Sequence, residues 1–426
     1  DLHSFPTRRS SDLQLAELLL PAGSLLKLKT AFLYGADAVY AGAPEMSLRA
    51  KSKFPLEDME EGIAFAHSQG KKVYLTLNLF SHNRDIAKLE NHIKTIKHLL
   101  PDGIIVSDPG IFQYIKRELP DLPLHISTQA NICSRLTVDF WKDMGADLCV
   151  LGREVSFNEA LEIREKCKDI KLEIFVHGAM CISYSGRCLM SAFMASRSAN
   201  QGACAHSCRW KYKSKLVMEE DKRPGEYLEM YEDIHGSYIM NSKDLCLMPK
   251  FDKVLSAGFD SLKIEGRNKS AYYAAQTARA YRKAIDDYFN DPAGWKPDLY
   301  MQELETLQNR GYTLGFFNGI PSSQAQDYSD TSSKSDWRNI GYVKENRGSS
   351  LVIDLRNKIV KGDKIEILSP YKFEPEIITV DGLIDGFDGS QAASVAPGRK
   401  KQTAIISIDP QKARFFPELT VIRMKI

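Results

Sequence analysis

Eight short apolar runs recur between Leu15 and Arg267, and most of them end in a polar or glycine-bearing turn before an amphipathic stretch begins. They are LAELLLPAG, DAVYAG, KVYLTLN, GIIVSDPG, PLHISTQAN, ADLCVLGRE, KLEIFVHG and DSLKIEGR. Each has the length and punctuation of a buried strand. Helical patterns separate several of them. PLEDMEEGIAFAHSQG carries Pro55 for a first turn and Gly70 for a cap, and Ser156 with Glu159 three residues on reads as a capping box. Strand–helix alternation implies a parallel sheet with crossover helices, and eight units point to a closed, TIM-like (β/α)8 barrel. An open doubly wound sheet is the alternative.

The seventh and eighth runs lie much further apart than the others, which places an insertion at about 178–240, after the carboxyl end of strand seven. Barrel enzymes hold their chemistry on that face. The eighth run is followed by a helix, SAYYAAQTARAYRKAIDDYF, and a second helical stretch through Leu307. We read 14–321 as the catalytic domain and 322–336, rich in Ser, Asp and Gln, as a linker. Across 337–426, NIGYVKE, SSLVIDL, DKIEILS, EIITVDG, TAIISID and LTVIRMK alternate with turn residues and predict a small antiparallel β-barrel.

Lys and Arg number 57 against 55 Asp and Glu, a formal charge of +2, so contact with nucleic acid requires a local patch. No run of eighteen apolar residues exists, and nothing at the start has the form of a signal peptide. The expectation is a cytoplasmic protein without membrane contact. Eight cysteines, four of them between Cys181 and Cys208, suit a metal or redox role better than a disulfide framework. Six residues separate Cys181 from Cys188, fifteen separate Cys188 from Cys204, and three separate Cys204 from Cys208. Spacing alone leaves a structural zinc and a 4Fe-4S cluster equally open, with thiols that bind nothing as a third reading. Gly178, Gly186 and Gly202 would let backbone amides approach cluster sulfurs. Cys133, Cys149 and Cys167 read as inert core thiols. Cys246 is a fifth claimant, better read as a buried thiol at a helix start.

A hydrolase needs a nucleophile with its base, or a metal-bound water, and the chain has neither an HExxH pattern nor a GxSxG elbow. His177 beside Cys181 could form a thiolate pair, which ranks below ligation because one of four clustered thiols is rarely free to attack. Glu17, Gln129, Asn131, Tyr184 and Glu265 fall at expected strand ends or in the cysteine segment, where packing and capping compete with chemistry. Arg209, Trp210, Lys211, Tyr212, Lys213 and Lys215 interleave cations with aromatics, a pattern suited to phosphate contact and base stacking, and Arg267 and Lys269 extend it. A solvated cationic face is the equal alternative.

ELLLPAGSLLKLKTAFLYGADAVYAG, HGAMC, YSGRCLMS, NQGACAHSCRW, RPGEY, YIMNSKDL and SLKIEGRNKSAYY together resemble the collagenase-like family-32 peptidases of unassigned type, and within them the branch that hydroxylates tRNA. The resemblance runs from about Glu17 to the C-terminus. It implies a 4Fe-4S cluster on Cys181, Cys188, Cys204 and Cys208, and oxygen-independent conversion of the wobble uridine to 5-hydroxyuridine with prephenate as co-substrate. The implied partners are tRNA and either a homologous subunit or a second copy of the chain. Prephenate carries two carboxylates, so Arg49, Arg153, Arg187, Arg197 and Arg267 become candidates for its site, with Gln129 and Asn131 beside them. His177, Tyr184 and Glu265 become the candidate catalytic groups. The family's older association with collagen cleavage keeps a peptidase as the first rival, and a zinc-stabilised RNA-binding protein is the second. Residues 1–13 depart from the family's start and are expected to be a non-native leader.

Overall fold

The computed structural model of the 426-residue chain describes residues 15–42, 54–78, 82–180, 188, 190–195, 197, 204–209, 242–321, 335–398 and 402–426, with two-residue strands between 218 and 237. The chain packs as two compact units. One gathers the described residues of Asp1–Leu25, Ala38–Asn268 and Asn309–Lys334; the other gathers Leu26–Asp37, Lys269–Gln308 and Ser335–Ile426.

In the first unit all eight apolar runs form parallel strands: β1 (Glu17–Pro21), β2 (Ala38–Gly42), β3 (Lys72–Leu77), β4 (Gly103–Val106), β5 (Leu124–Ile126), β6 (Leu148–Val150), β7 (Lys171–Ala179) and, after a short intervening strand β8 (Asp244–Cys246), β9 (Ser261–Ile264). Each pairs with the next, and β9 joins both β7 and β1, with Ser261 opposite Glu173 on one side and Glu17 on the other. The barrel is therefore closed, which leaves no unpaired edge. The connecting helices are α1 (Leu25–Leu33), α2 (Leu56–Ser68), α3 (Asn83–Leu99), α4 (Pro109–Glu118), α5 (Arg135–Asp143) and α6 (Phe157–Lys166).

Their ends follow from local chemistry. Pro55 is the N-cap of α2 rather than its first helical residue. At the other end Gly70, at φ +64°, lets its own N–H reach His67 O and the Lys71 N–H reach Ala66 O, the Schellman closure. Met59, Ile63 and Ala66 form the buried stripe between. The Ser156–Glu159 capping box opens α6 as expected.

The insertion contributes α7 (Met190–Ala195) and β8, followed by α8 (Phe251–Ser256), and the unit ends with β10 (Tyr312–Thr313). Strand β7 is nine residues long; its first part pairs with β9, and its carboxyl end takes β8 antiparallel, Asp244 opposite Ala179 and Cys246 opposite His177. Cys246 is thus buried in a strand, not at a helix start, because these three residues complete the backbone pairing of the longest barrel strand. Arg310 pairs with the Asp244 carboxylate and donates from Nε to Ser242 O at 3.2 Å, fixing β8 in place.

The second unit carries most of α1, then α9 (Ala271–Asn290), α10 (Asp298–Glu305), a two-residue strand pair (Ile359–Val360 with Ser394–Val395) and the strands β11 (Trp337–Asn346), β12 (Ser350–Leu355), β13 (Lys364–Leu368), β14 (Glu376–Thr379), β15 (Leu383–Asp385), β16 (Thr403–Ser407) and β17 (Val421–Lys425). Strands β11 to β17 make one curled antiparallel sheet in the order β14-β13-β17-β11-β12-β16-β15, around Ile340, Val343, Ile353, Ile367, Ile406 and Ile422. The six expected runs are all strands, and β15 is a further one. Glu303 on α10 binds Arg279 of α9 at 2.7 Å and Arg423 of β17 at 2.9 Å. Tyr34 donates to Leu368 O at 2.6 Å and accepts the Val421 N–H at 2.9 Å.

Candidate active site at the carboxyl ends of the barrel strands

Alternation along the strands builds the mouth. Leu19, Ala38, Tyr40, Tyr74 and Ile105 cluster inside the barrel, so a two-residue repeat puts Thr76 and Asn78 on Tyr74's face and Ser107 on Ile105's face. His125 packs its ring 4.6 Å from Tyr74, which puts Ser127 on the inner face as well. On β9 the same repeat carries Lys263, Glu265 and Arg267 towards the carboxyl end.

One half of this rim is charged. Tyr40 donates to a Glu265 carboxylate oxygen at 2.9 Å, and Arg153 lies 3.7 Å from that same oxygen while stacking 3.6 Å over the Phe175 ring. Arg267 donates to Thr76 Oγ1 at 2.8 Å and sits 5.7 Å from the centre of the Tyr40 ring. Arg153 thus approaches the Glu265 carboxylate, and both guanidiniums act on the Tyr40 hydroxyl that binds it. Burial, reinforced by Glu265, pushes the Tyr40 hydroxyl well above its ordinary pKa, so it stays a neutral donor. Beneath lies an ion pair sealed in the barrel: Lys263 Nζ is 2.7 Å from one Glu173 oxygen, and Ser261 donates to the other at 2.8 Å. The Glu265 N–H reaches His177 O at 2.9 Å beside Gly178, whose φ is +120° and whose missing Cβ would stand 2.4 Å from Glu265 O.

Beyond Thr76, the inward side chains at the ends of β3 to β5 are uncharged. Asn78 donates to Ser127 Oγ at 3.3 Å, and the Gln129 N–H donates to the same oxygen at 3.4 Å. Burial, reinforced by Lys263, pushes the His125 imidazole down to about 3 from an ordinary 6.5. The unfolded chain therefore takes up a proton between pH 6.5 and about 3 that the folded chain refuses. The stability owed to this residue is complete above that window and declines as pH falls through it, by up to about 1.4 kcal/mol per pH unit. Denaturation titrations between pH 7 and 4 on the wild type and His125→Phe test this, since the variant is expected to lose stability less steeply on acidification; identical slopes contradict it.

The insertion brings Cys188, Cys204 and Cys208 into the described residues, all three partly buried. Cys204 Sγ accepts the His206 N–H at 3.3 Å, His206 holding the left-handed φ of +57° that aims it there. Ser191 of α7 accepts the Ala205 N–H at 2.7 Å, and Arg197 donates to Cys204 O at 3.3 Å, fastening the same turn. These thiols and the N–H donor to sulfur have the chemistry of soft-metal ligands. Among the described residues no three ligating side chains converge on one point, and Cys181 lies outside them.

Of the residues singled out from sequence, Arg153, Glu265 and Arg267 come together. Gln129 stands on the neutral side; His177 is buried at the end of β7, its ring 5.4 Å from that of Tyr312. Asn131 holds a left-handed turn at φ 60° after the Thr128–Ala130 turn. Glu17 does not reach the mouth: β1 starts at Glu17, at the opposite barrel end, where its carboxylate takes Lys72 and Tyr74 at 2.9 Å each. Arg209 ends the Ser207–Arg209 turn, and Lys269, in the second unit, lies 5.6 Å over the Tyr273 ring. Arg49, Tyr184, Arg187, Trp210, Lys211, Tyr212, Lys213 and Lys215 lie outside the described residues, as does most of the expected linker. Tyr40, Thr76, Asn78, Ser107 and Thr128 were not singled out. For Thr76, Asn78 and Ser107 the signal was even spacing beyond the inward Tyr74 and Ile105; Tyr40 read as core, and Thr128, an odd step from inward His125, gave no such signal.

Residues 23–327 match the description Peptidase family U32. The Escherichia coli (strain K12) protein named tRNA hydroxylation protein P is 40% identical over 394 residues, covering 83% of this chain and 86% of its own length. A Porphyromonas gingivalis protein named Collagenase is 33% identical, covering 71% of this chain and 73% of that protein. The E. coli 23S rRNA 5-hydroxycytidine C2501 synthase is 32% identical, covering 71% of this chain and 45% of that enzyme. Among the described residues no helix is long and apolar enough to cross a membrane.

Proposed function

The chain belongs to peptidase family U32, and from that premise we propose that it hydroxylates RNA, converting the wobble uridine of tRNA to 5-hydroxyuridine without dioxygen, with prephenate as co-substrate. The observation that carries the reading is that Arg153 and Arg267 both stand close to Tyr40, whose hydroxyl holds the Glu265 carboxylate, at the barrel mouth. Cationic excess there suits a ligand with carboxylates. The names of the E. coli relatives, one acting in tRNA hydroxylation and one making a 5-hydroxypyrimidine in rRNA, support the same chemistry.

Replacing a ring C–H by C–OH is a two-electron oxidation that also needs an oxygen atom, and no side chain supplies either unaided. Cys181, Cys188, Cys204 and Cys208 would hold a 4Fe-4S cluster, which provides one-electron transfer when bound. Arg153 and Arg267 bind and orient the carboxylates. Tyr40 holds the Glu265 carboxylate in place, leaving Glu265 to move a proton at the ring carbon and buried His177 to keep water from the β7 side. An anticodon loop presents its base unstacked, so little of the cost of extruding it, on the order of a few kcal/mol, is incurred.

Metal and acid-labile sulfide analysis after anaerobic purification tests the cluster: roughly four iron and four sulfide per chain are expected. One zinc without iron or sulfide overturns it and favours the zinc-stabilised RNA-binding protein.

A further inference from the structure

The neutral half of the mouth holds three polar atoms that the fold leaves unanswered. Ser107 Oγ, Thr128 Oγ1 and Gln129 Oε1 are all buried without a hydrogen-bond partner among the described residues. Ser107 and Thr128 are only 7% and 9% exposed. Leaving a buried hydroxyl or amide unpaired is costly, so three on adjacent strand ends call for a partner that the described residues do not supply. They follow neighbouring strands. Ser107 directly follows β4, Thr128 and Gln129 follow β5, and the Ser127 N–H ties the two ends by donating to Val106 O at 2.7 Å.

We propose that Ser107, Thr128 and Gln129 form a subsite that holds the O2–N3–O4 edge of the target pyrimidine, a deepening of the RNA-hydroxylation reading on which it rests. A uracil edge alternates acceptor, donor and acceptor. Two hydroxyls that both donate and accept, beside a carboxamide that accepts from N3–H and donates to a neighbouring carbonyl, complement it without formal charge. The guanidinium of Arg153 stands on the β6 side, while that of Arg267 reaches Thr76 on β3 and borders the subsite, so the uncharged groups for a planar base are those at the ends of β4 and β5. His125 beneath keeps a neutral imidazole at working pH, and the subsite floor stays uncharged. Bases removed from the stack are read on this edge.

The test is fluorescence-anisotropy binding of the whole protein to anticodon stem-loops carrying either uridine or 3-methyluridine at the wobble position, the methyl group blocking N3–H. The wild type is expected to prefer uridine by about 10-fold, Gln129→Ala to lose that preference, and Ser107→Ala to bind the uridine loop about 5-fold more weakly. Ser107→Ala should nevertheless melt no lower than the wild type, because it removes an unpaired hydroxyl rather than a bond. A preference retained in Gln129→Ala overturns the subsite, as does a Ser107→Ala protein that loses Tm along with affinity. If the wild type hydroxylates the loop yet does not distinguish the two bases, only the subsite falls; if it neither binds nor hydroxylates either loop, the RNA reading falls with it.

Discussion

Glu173→Ala is expected to destabilise the barrel unit by about 3–5 kcal/mol, the usual consequence of leaving one member of a buried ion pair unmatched. Glu173 is 1% exposed and takes both Lys263 and Ser261. Without it, the Lys263 ammonium faces the Tyr40 and Phe175 rings at 4.5 and 5.7 Å, which attract a cation but cannot replace a carboxylate in a dry interior. Chemical denaturation measures the loss. The double variant Glu173→Ala with Lys263→Met should recover most of it, since the unmatched charge is removed rather than compensated. A single-variant loss below about 1 kcal/mol would mean that water reaches the pair and that the barrel interior is not sealed.

The second large effect is expected at Gly178. A methyl group there meets Glu265 O at 2.4 Å, and the backbone already holds φ +120°, so alanine is strained twice. The β7 and β9 backbones must separate, and the Glu265 carboxylate leaves Tyr40 and Arg153 with them. Misplacement of a site by about 1 Å costs on the order of 100-fold in rate, and that is the fall expected in hydroxylation turnover by Gly178→Ala. Gly362→Ala separates the two causes: it too has a positive φ, +95°, but nothing stands within 4 Å of its missing Cβ. It should therefore pay only the backbone strain and keep its turnover. Equal rates for Gly178→Ala and the wild type would remove Glu265 from the working site.

The barrel was legible because each strand is a short apolar run bounded by turns, a pattern set by burial on both faces of a parallel sheet. Among the strands that escaped are β8 and β15, three residues each, and the two-residue β10, all in stretches without periodicity, where pairing is imposed by neighbours rather than by composition. Glu17 misled for a related reason. A charged residue beside an apolar run marks a strand boundary, but whether it is the beginning or the end decides which barrel face it occupies. Arg153, Glu265 and Arg267 were legible as residues following strands six and eight. Their common partner Tyr40 was hidden in the middle of DAVYAG, where an aromatic reads as core until the closure of β9 on β1 brings Glu265 over it. Glu173 and Lys263 stood openly as charges within apolar runs. Only the register that sets Ser261 against Glu173 makes them partners.

Cluster-dependent tRNA hydroxylation is read most directly by mass spectrometry of tRNA nucleosides from cells lacking this gene, complemented with the wild type or with Cys204→Ala. 5-Hydroxyuridine derivatives are expected to disappear in the null strain, return with the wild type and stay absent with Cys204→Ala. Undiminished 5-hydroxyuridine in the null strain, or full restoration by Cys204→Ala, would contradict cluster-dependent hydroxylation.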